Sequence, residues 1–310
     1  MSAESETMTL PQAAAPTRRL PWMRLFGWSL RRELWEHRSV WIAPLAVTGF
    51  CVALHLLMAL TISDAERIAA LAAPAGGNSF QRLYATLNLV ILLGSFLVGL
   101  VYSVDALQSE RRDRSILFWK SLPVSDRVAV AAKAFVPMVW LPLQALALAV
   151  VANLVMVGLQ SLVWPLRGFD PGELWARLDL PLLWSLLAAP LPFMMLWNAP
   201  LYAWLLLVSA WSRRAAALMA AAPLVAVLIV EHTALHRTGA HWIVEKRLAG
   251  AILEPYARLP HHGDDVTWIS SLAEIQLARL YTLPGLWIGV AFAALFLFFA
   301  VRLRRARAPN

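Results

Sequence analysis

The sequence predicts an all-α, polytopic membrane protein with six transmembrane helices and both termini cytoplasmic. Three observations carry that expectation. The 310 residues are 60% hydrophobic and only 15% charged, where a soluble domain has about a quarter charged residues. The apolar residues gather into runs at 40–62, 85–104, 134–160, 181–211, 215–230 and 283–301, and none of these runs contains Asp, Glu, Lys or Arg. Basic residues alternate between rich and poor connections along the chain. Crossing a bilayer takes about 20 apolar residues as a helix, the one form that satisfies every backbone group within a single segment. The alternating polar–apolar pattern of a transmembrane β-barrel is missing.

Residues 1–20 are polar and Ala/Pro-rich. They read as a disordered cytoplasmic tail and not as a cleaved signal. A single transmembrane domain is expected over 21–302, with a basic tail over 303–310. Before the first run, Met23, Phe26, Leu30 and Leu34 share one stripe at helical spacing, and Arg24, Arg31 and Arg38 make another. Trp28 and Trp35 flank the basic stripe. That is the composition of an interfacial helix lying on the bilayer, although Glu33 and Glu36 blur its polar face.

The first run then inserts and the second returns. Its cytoplasmic flank is dense in charge, with Arg111, Arg112, Arg114, Lys120, Arg127 and Lys133. The third run leads to an outer connection holding Arg167 and Arg177. The fourth run contains Pro190, Pro192 and Pro200, so a tilted and kinked span or a broken one is expected. The turn to the short fifth run carries Arg213 and Arg214. The connection over 231–282 dilutes five basic residues among six acids. Arg302, Arg304, Arg305 and Arg307 close the sixth run. By the positive-inside rule both ends face the cytoplasm. The net charge of +8 then reflects these flanks and contact with the lipid bilayer; no nucleic-acid partner is expected. Cys51 is the one cysteine, so no disulfide framework exists within the chain.

Polar residues within the runs are few. Asn88, Gln144, Asn153 and Asn198 are the candidates for a substrate path, and helix–helix hydrogen bonding is the ordinary alternative for each. His232, His236 and His241 lie just outside the fifth run and are weak candidates for a metal site. No H-E-x-x-H stands among them, so no metal is assigned. An ion-coupled secondary transporter would need acids or bases inside the spans or paired broken helices in two repeats. The runs carry no such charges.

The connection after the second run reads Glu110-Arg111-Arg112-Asp113-Arg114-Ser115, then Ile116-Leu117-Phe118-Trp119-Lys120, then Ser121-Leu122-Pro123-Val124-Ser125, with Lys133 further on. Pro123 breaks any helix there. Ser125 suits an N-cap, with Asp126 in the first turn. Phe118 and Trp119 at such a tip suggest a docking surface. The Glu/Arg pair, the Ser-Ile-Leu step and the Leu-Pro-Val-Ser turn followed by Lys133 resemble the membrane subunits of ABC-2 type ATP-binding-cassette exporters. Arg114 and Ser115 stand where many members have Gly. The resemblance implies that 105–133 is the loop receiving movement from a cytoplasmic ABC ATPase subunit. It also implies a homodimer or a paired permease around the substrate path, in the cell (inner) membrane. This chain itself is then expected to be no enzyme and to bind no cofactor. No G-x-x-x-x-G-K-[ST] motif is present, and ATP and Mg would belong to the ATPase partner.

Overall fold

The computed structural model describes residues 21–72, 79–112, 125–212, 215–230 and 275–306, with a few isolated positions between 247 and 255. Among the described residues every regular element is helical. Five helical stretches are long and apolar enough to cross a membrane: Ser39–Thr61, Phe80–Glu110, Asp126–Arg167, Leu191–Trp211 and Pro284–Ala306. The chain is therefore a multi-pass helical membrane protein. The run at 215–230 forms helix Ala216–Val230, whose 15 residues fall short of a full bilayer crossing of about 20.

Helix α1 (Trp22–Glu36) ends at His37, whose backbone leaves the helical region, and α2 (Ser39–Thr61) begins two residues later. Short α3 (Asp64–Ala72) follows. Helix α4 (Ser79–Asp105) returns to the α1 end. There the chain bends, and α5 (Gln108–Arg112) continues it. The bend frees the amides of Leu107 and Gln108, and Ser209 Oγ accepts from both at 3.0 Å. Helix α6 (Asp126–Phe135) is capped by Ser125, whose Oγ accepts from Val128 N at 3.4 Å.

Helix α6 passes into α7 (Leu141–Val163) through a π-helical turn, Val136–Trp140. Pro137 and Pro142 lie in this stretch and donate no amide hydrogen. The turn widens instead, and Leu141 N reaches back to Val136 O, as such bulges do. After the short α8 (Pro171–Arg177), the fourth run is interrupted at two residues whose backbones stay in the right-handed helical region. It gives α9 (Leu180–Ala188) and α10 (Leu191–Trp211), separated at Ala189–Pro190. Asp179 caps α9, accepting from Leu182 N at 2.9 Å. Helices α11 (Ala216–Val230), α12 (Leu277–Leu280) and α13 (Pro284–Ala306) complete the described chain.

Packing divides the molecule into two ends. Away from α1, helices α2, α4 and α7 share a core of Cys51, Tyr84, Ile91, Met156 and Trp164. Glycine sets the spacing of α4 from its neighbours. A Cβ at Gly94 would come to 3.0 Å from Val47, and one at Gly99 to 3.0 Å from Tyr202. At the α1 end, Leu34, Val40, Tyr102, Val130, Leu206 and Ala300 form a second core. Helices α10 and α13 run parallel. Phe193 and Trp197 meet Leu286 at the far end, Ala203 meets Ala293 midway, and Leu206 and Ala210 meet Ala300 near α1. At the far end, Arg247 lies 4.6 Å over the Trp197 ring and donates to Gly285 O at 3.0 Å.

Candidate functional site: a buried ion cluster joining four helices

Six charged side chains from α1, α5, α6 and α13 converge at the α1 end. Lys133 Nζ lies 2.9 Å from Glu33 Oε2 and 3.1 Å from Glu110 Oε1. Arg304 reaches Glu110 Oε2 through one guanidinium nitrogen and Asp126 Oδ1 through another, both at 3.1 Å. Arg32 contacts Glu33 at 2.7 Å and Glu110 at 3.3 Å. Tyr102 donates its hydroxyl to Glu33 Oε2 at 3.0 Å. Among the described residues three cations and three carboxylates therefore form the centre, with Glu36 at 3.5 Å from Arg32 and Arg305 at 3.9 Å from Asp126 on its rim. Burial of charge is tolerated only with such pairing, and here it is deep: Lys133 is fully buried and Glu33 is 1% exposed.

The electrostatics follow from that geometry. Burial alone would raise the Glu33 carboxyl. The Lys133 ammonium and the hydrogen bonds from Lys133 and Arg32 outweigh it, and the pKa falls to about 2. Burial would likewise lower Arg32, but Glu33 and Glu110 raise it, so both groups stay charged. Glu33, Glu36 and His37 bring their ligand atoms within 4.8 Å of one another. Lys133 and Arg32 already neutralise Glu33, which leaves little reason for a metal cation to enter.

Of the residues proposed for the loop, Glu110 is placed inside the protein. It is 5% exposed and paired with α1, α6 and α13 rather than presented outward. Arg111 and Arg112 end α5, and Ser125 starts α6. Asp113, Ser115, Phe118, Trp119, Lys120 and Pro123 lie outside the described residues, as do His232, His236 and His241.

Of the four polar residues proposed for a substrate path, Asn198 lines the cavity described below. Asn88 and Asn153 are buried on α4 and α7, and Asn88 Oδ1 and both amide atoms of Asn153 have no hydrogen-bond partner among the described residues. Gln144 is half-buried, with Oε1 likewise unpartnered. Asn198 lines a cavity of about 60 Å³ between α4, α7 and α10, with Ser95, Phe96, Met194, Met195 and Tyr202. Ser95 is 1% exposed, and its Oγ has no hydrogen-bond partner among the described residues. A further polar set joins α2, α4 and α7: Gln160 Oε1 accepts from Tyr84 at 3.2 Å and lies 3.1 Å from His55 Nε2.

Sequence reasoning missed the cluster itself. Its trace was present in Glu33, an acid on a helix otherwise suited to the interface, and in Lys133, a base seven residues past Asp126. Comparison with protein-family models, with curated proteins and with solved structures gives no match to this chain.

Proposed function

We propose that the chain is the permease subunit of an ATP-driven exporter, coupled to a separate ATPase through the 105–133 loop. One observation supports this most. The two stems of that loop, Glu110 on one side and Asp126 with Lys133 on the other, are fastened to a single buried ion cluster together with α1 and α13. A force on the loop tip would meet no slack in its stems. It would pass at once to α4, α6, the interfacial helix and α13. Packed, charge-paired elements switch between discrete arrangements instead of yielding gradually.

Six passes with both termini in the cytoplasm are part of the same reading. Helix α10 ends at the α1 end, whereas α12 and the start of α13 lie at the far end beside Phe193 and Trp197. The intervening chain must therefore travel from one end to the other. Helix α11 starts beside α10, with Ala220 against Leu205 and Val208, and is the natural carrier of that crossing. The cavity beside Asn198 then lies within the membrane-embedded bundle. It is a small, uncharged pocket suited to the apolar part of a substrate.

The test is purification. Solubilised mildly from its own host, the full chain should co-purify with a soluble ATPase in equal proportion, as two copies of each, and should hydrolyse no ATP when that subunit is stripped away. Recovery without any ATPase, with transport in vesicles driven by an ion gradient alone, would establish the secondary-transporter alternative instead.

A further inference from the structure

Helix α1 has two opposed faces, and only one of them is used inside the protein. Ser29 and Glu33 are buried, and Phe26 packs on Phe135 at 5.6 Å. At 100° per residue the opposite direction is occupied by Arg24, Trp28, Arg31 and Trp35, and Arg38 follows at the junction with α2. The spacings of four, three and four residues align the first four in a single alternating row. All five are exposed, and Trp28 and Trp35 are each 72% exposed. The Arg31 guanidinium lies 5.3 Å over the Trp35 ring. No acid interrupts the row.

We propose that this row is a binding site for anionic phospholipid. Two observations favour lipid over a soluble partner. Helix α1 is separated from the apolar α2 by only His37 and Arg38, which holds it at the depth where the bilayer's polar zone begins. The row also carries the composition of that zone. Tryptophan rings favour the headgroup level, where an apolar body and an N–H are both accommodated. Arginine presents a planar fork that matches phosphate and is attracted by the negative surface of an anionic leaflet. A face turned to bulk water would gain nothing from two bare indoles. The proposal rests on the membrane placement of the five apolar helices and not on the exporter reading.

The full-length protein is reconstituted in phosphatidylcholine nanodiscs. A fluorophore is placed at Gly27→Cys in a Cys51→Ala background. A side chain at Gly27 meets nothing within 4 Å, and the row stays intact. Phosphatidylglycerol or phosphatidylcholine, each spin-labelled near the top of the acyl chain, is then added at equal mole fraction. The anionic lipid should quench several-fold more strongly, and the ratio should fall as salt is raised. Changing Arg24, Arg31 and Arg38 together to Gln should bring the ratio close to one. Should that variant fail to accumulate, Arg31→Gln alone is expected to lower the ratio about twofold. A fluorophore at Leu166→Cys, exposed at the far end, should show no preference. A ratio of one in the unsubstituted row would overturn the proposal, as would a ratio that survives the Gln changes. Free quenching at position 27 by aqueous iodide, with none by either lipid, would turn the row toward water and toward a soluble partner, and would equally overturn it.

Discussion

Lys133 sits without solvent contact between the carboxylates of Glu33 and Glu110. Its removal takes from both acids a cation that lies between them. Breaking a buried pair in this way costs about 3–5 kcal/mol, so Lys133→Met should lower the thermal stability of the purified protein steeply. The double change Glu33→Gln with Lys133→Met should recover much of that loss, because no Glu33 carboxylate is then left without its Lys133 partner. A double variant no more stable than the single one would mean that the two residues do not act as a pair. Glu33 also gives the cluster a pH dependence of definite sign. Its folded pKa of about 2 lies below its ordinary value of 4.5. The stabilisation is therefore complete above pH 4.5 and is lost as pH falls through about 2. Unfolding followed between these limits should steepen for the natural chain, and Glu33→Gln should flatten that part of the profile.

At the scale of elements, the bend between α4 and α5 depends on a hydroxyl from another helix. Ser209→Ala would remove the acceptor shared by the Leu107 and Gln108 amides, at about 1–3 kcal/mol for the loss of a buried hydrogen bond. The expected result is a protein that inserts normally but exchanges amide hydrogens faster at 105–112. Unchanged protection there would show that the bend holds without Ser209. The difference between what the sequence disclosed and what it hid is clearest among these elements. The apolar runs were legible because lipid imposes the same demand on every crossing segment, and Ser125 was legible because capping is local. The interruption at Ala189–Pro190 was half legible: prolines at 190 and 192 marked the place, but kink and break satisfy the same local rule. The ion cluster was not legible. Its members lie 100 residues apart for Glu33 and Lys133 and 178 apart for Asp126 and Arg304. Spacing along a chain says nothing about pairs that only the folded bundle brings together. Glu110, which opens the loop segment in the sequence, is buried among cations of its own chain, a setting that no local pattern announces.

For the molecule as a whole, the two ends differ in how tightly they are tied. The far end carries Arg167–Asp64 at 3.4 Å, with both side chains substantially exposed, a kind of pair worth little. The α1 end is locked by buried charge. We expect the far end to be the more mobile one under hydrogen exchange, with the α1 end protected; the reverse order would contradict a locked pedestal. Labels at Gly168→Cys and Gly27→Cys should react from opposite sides of a sealed vesicle. Reaction of both from one side would remove the five-helix membrane frame on which the exporter reading stands.

Arg304 touches Glu110 and Asp126 at once, yet it is synthesised 178 residues after Asp126. A ribosome-bound chain therefore holds both stems of the loop long before it holds their common counter-ion. Until α13 is in place, each acid has one fewer cation, and the stems are joined by Lys133 on Glu110 without the added tie of Arg304. The nascent protein would thus hold the stems of the loop slack, and the finished one hold them taut. Any partner that requires the taut form would pass over incomplete chains. A chain ended after Val301 should insert its earlier helices yet recruit such a partner poorly, and Arg304→Gln should reproduce that defect in the full-length protein. Undiminished recruitment by both would show that the loop acquires its shape before the late helix arrives.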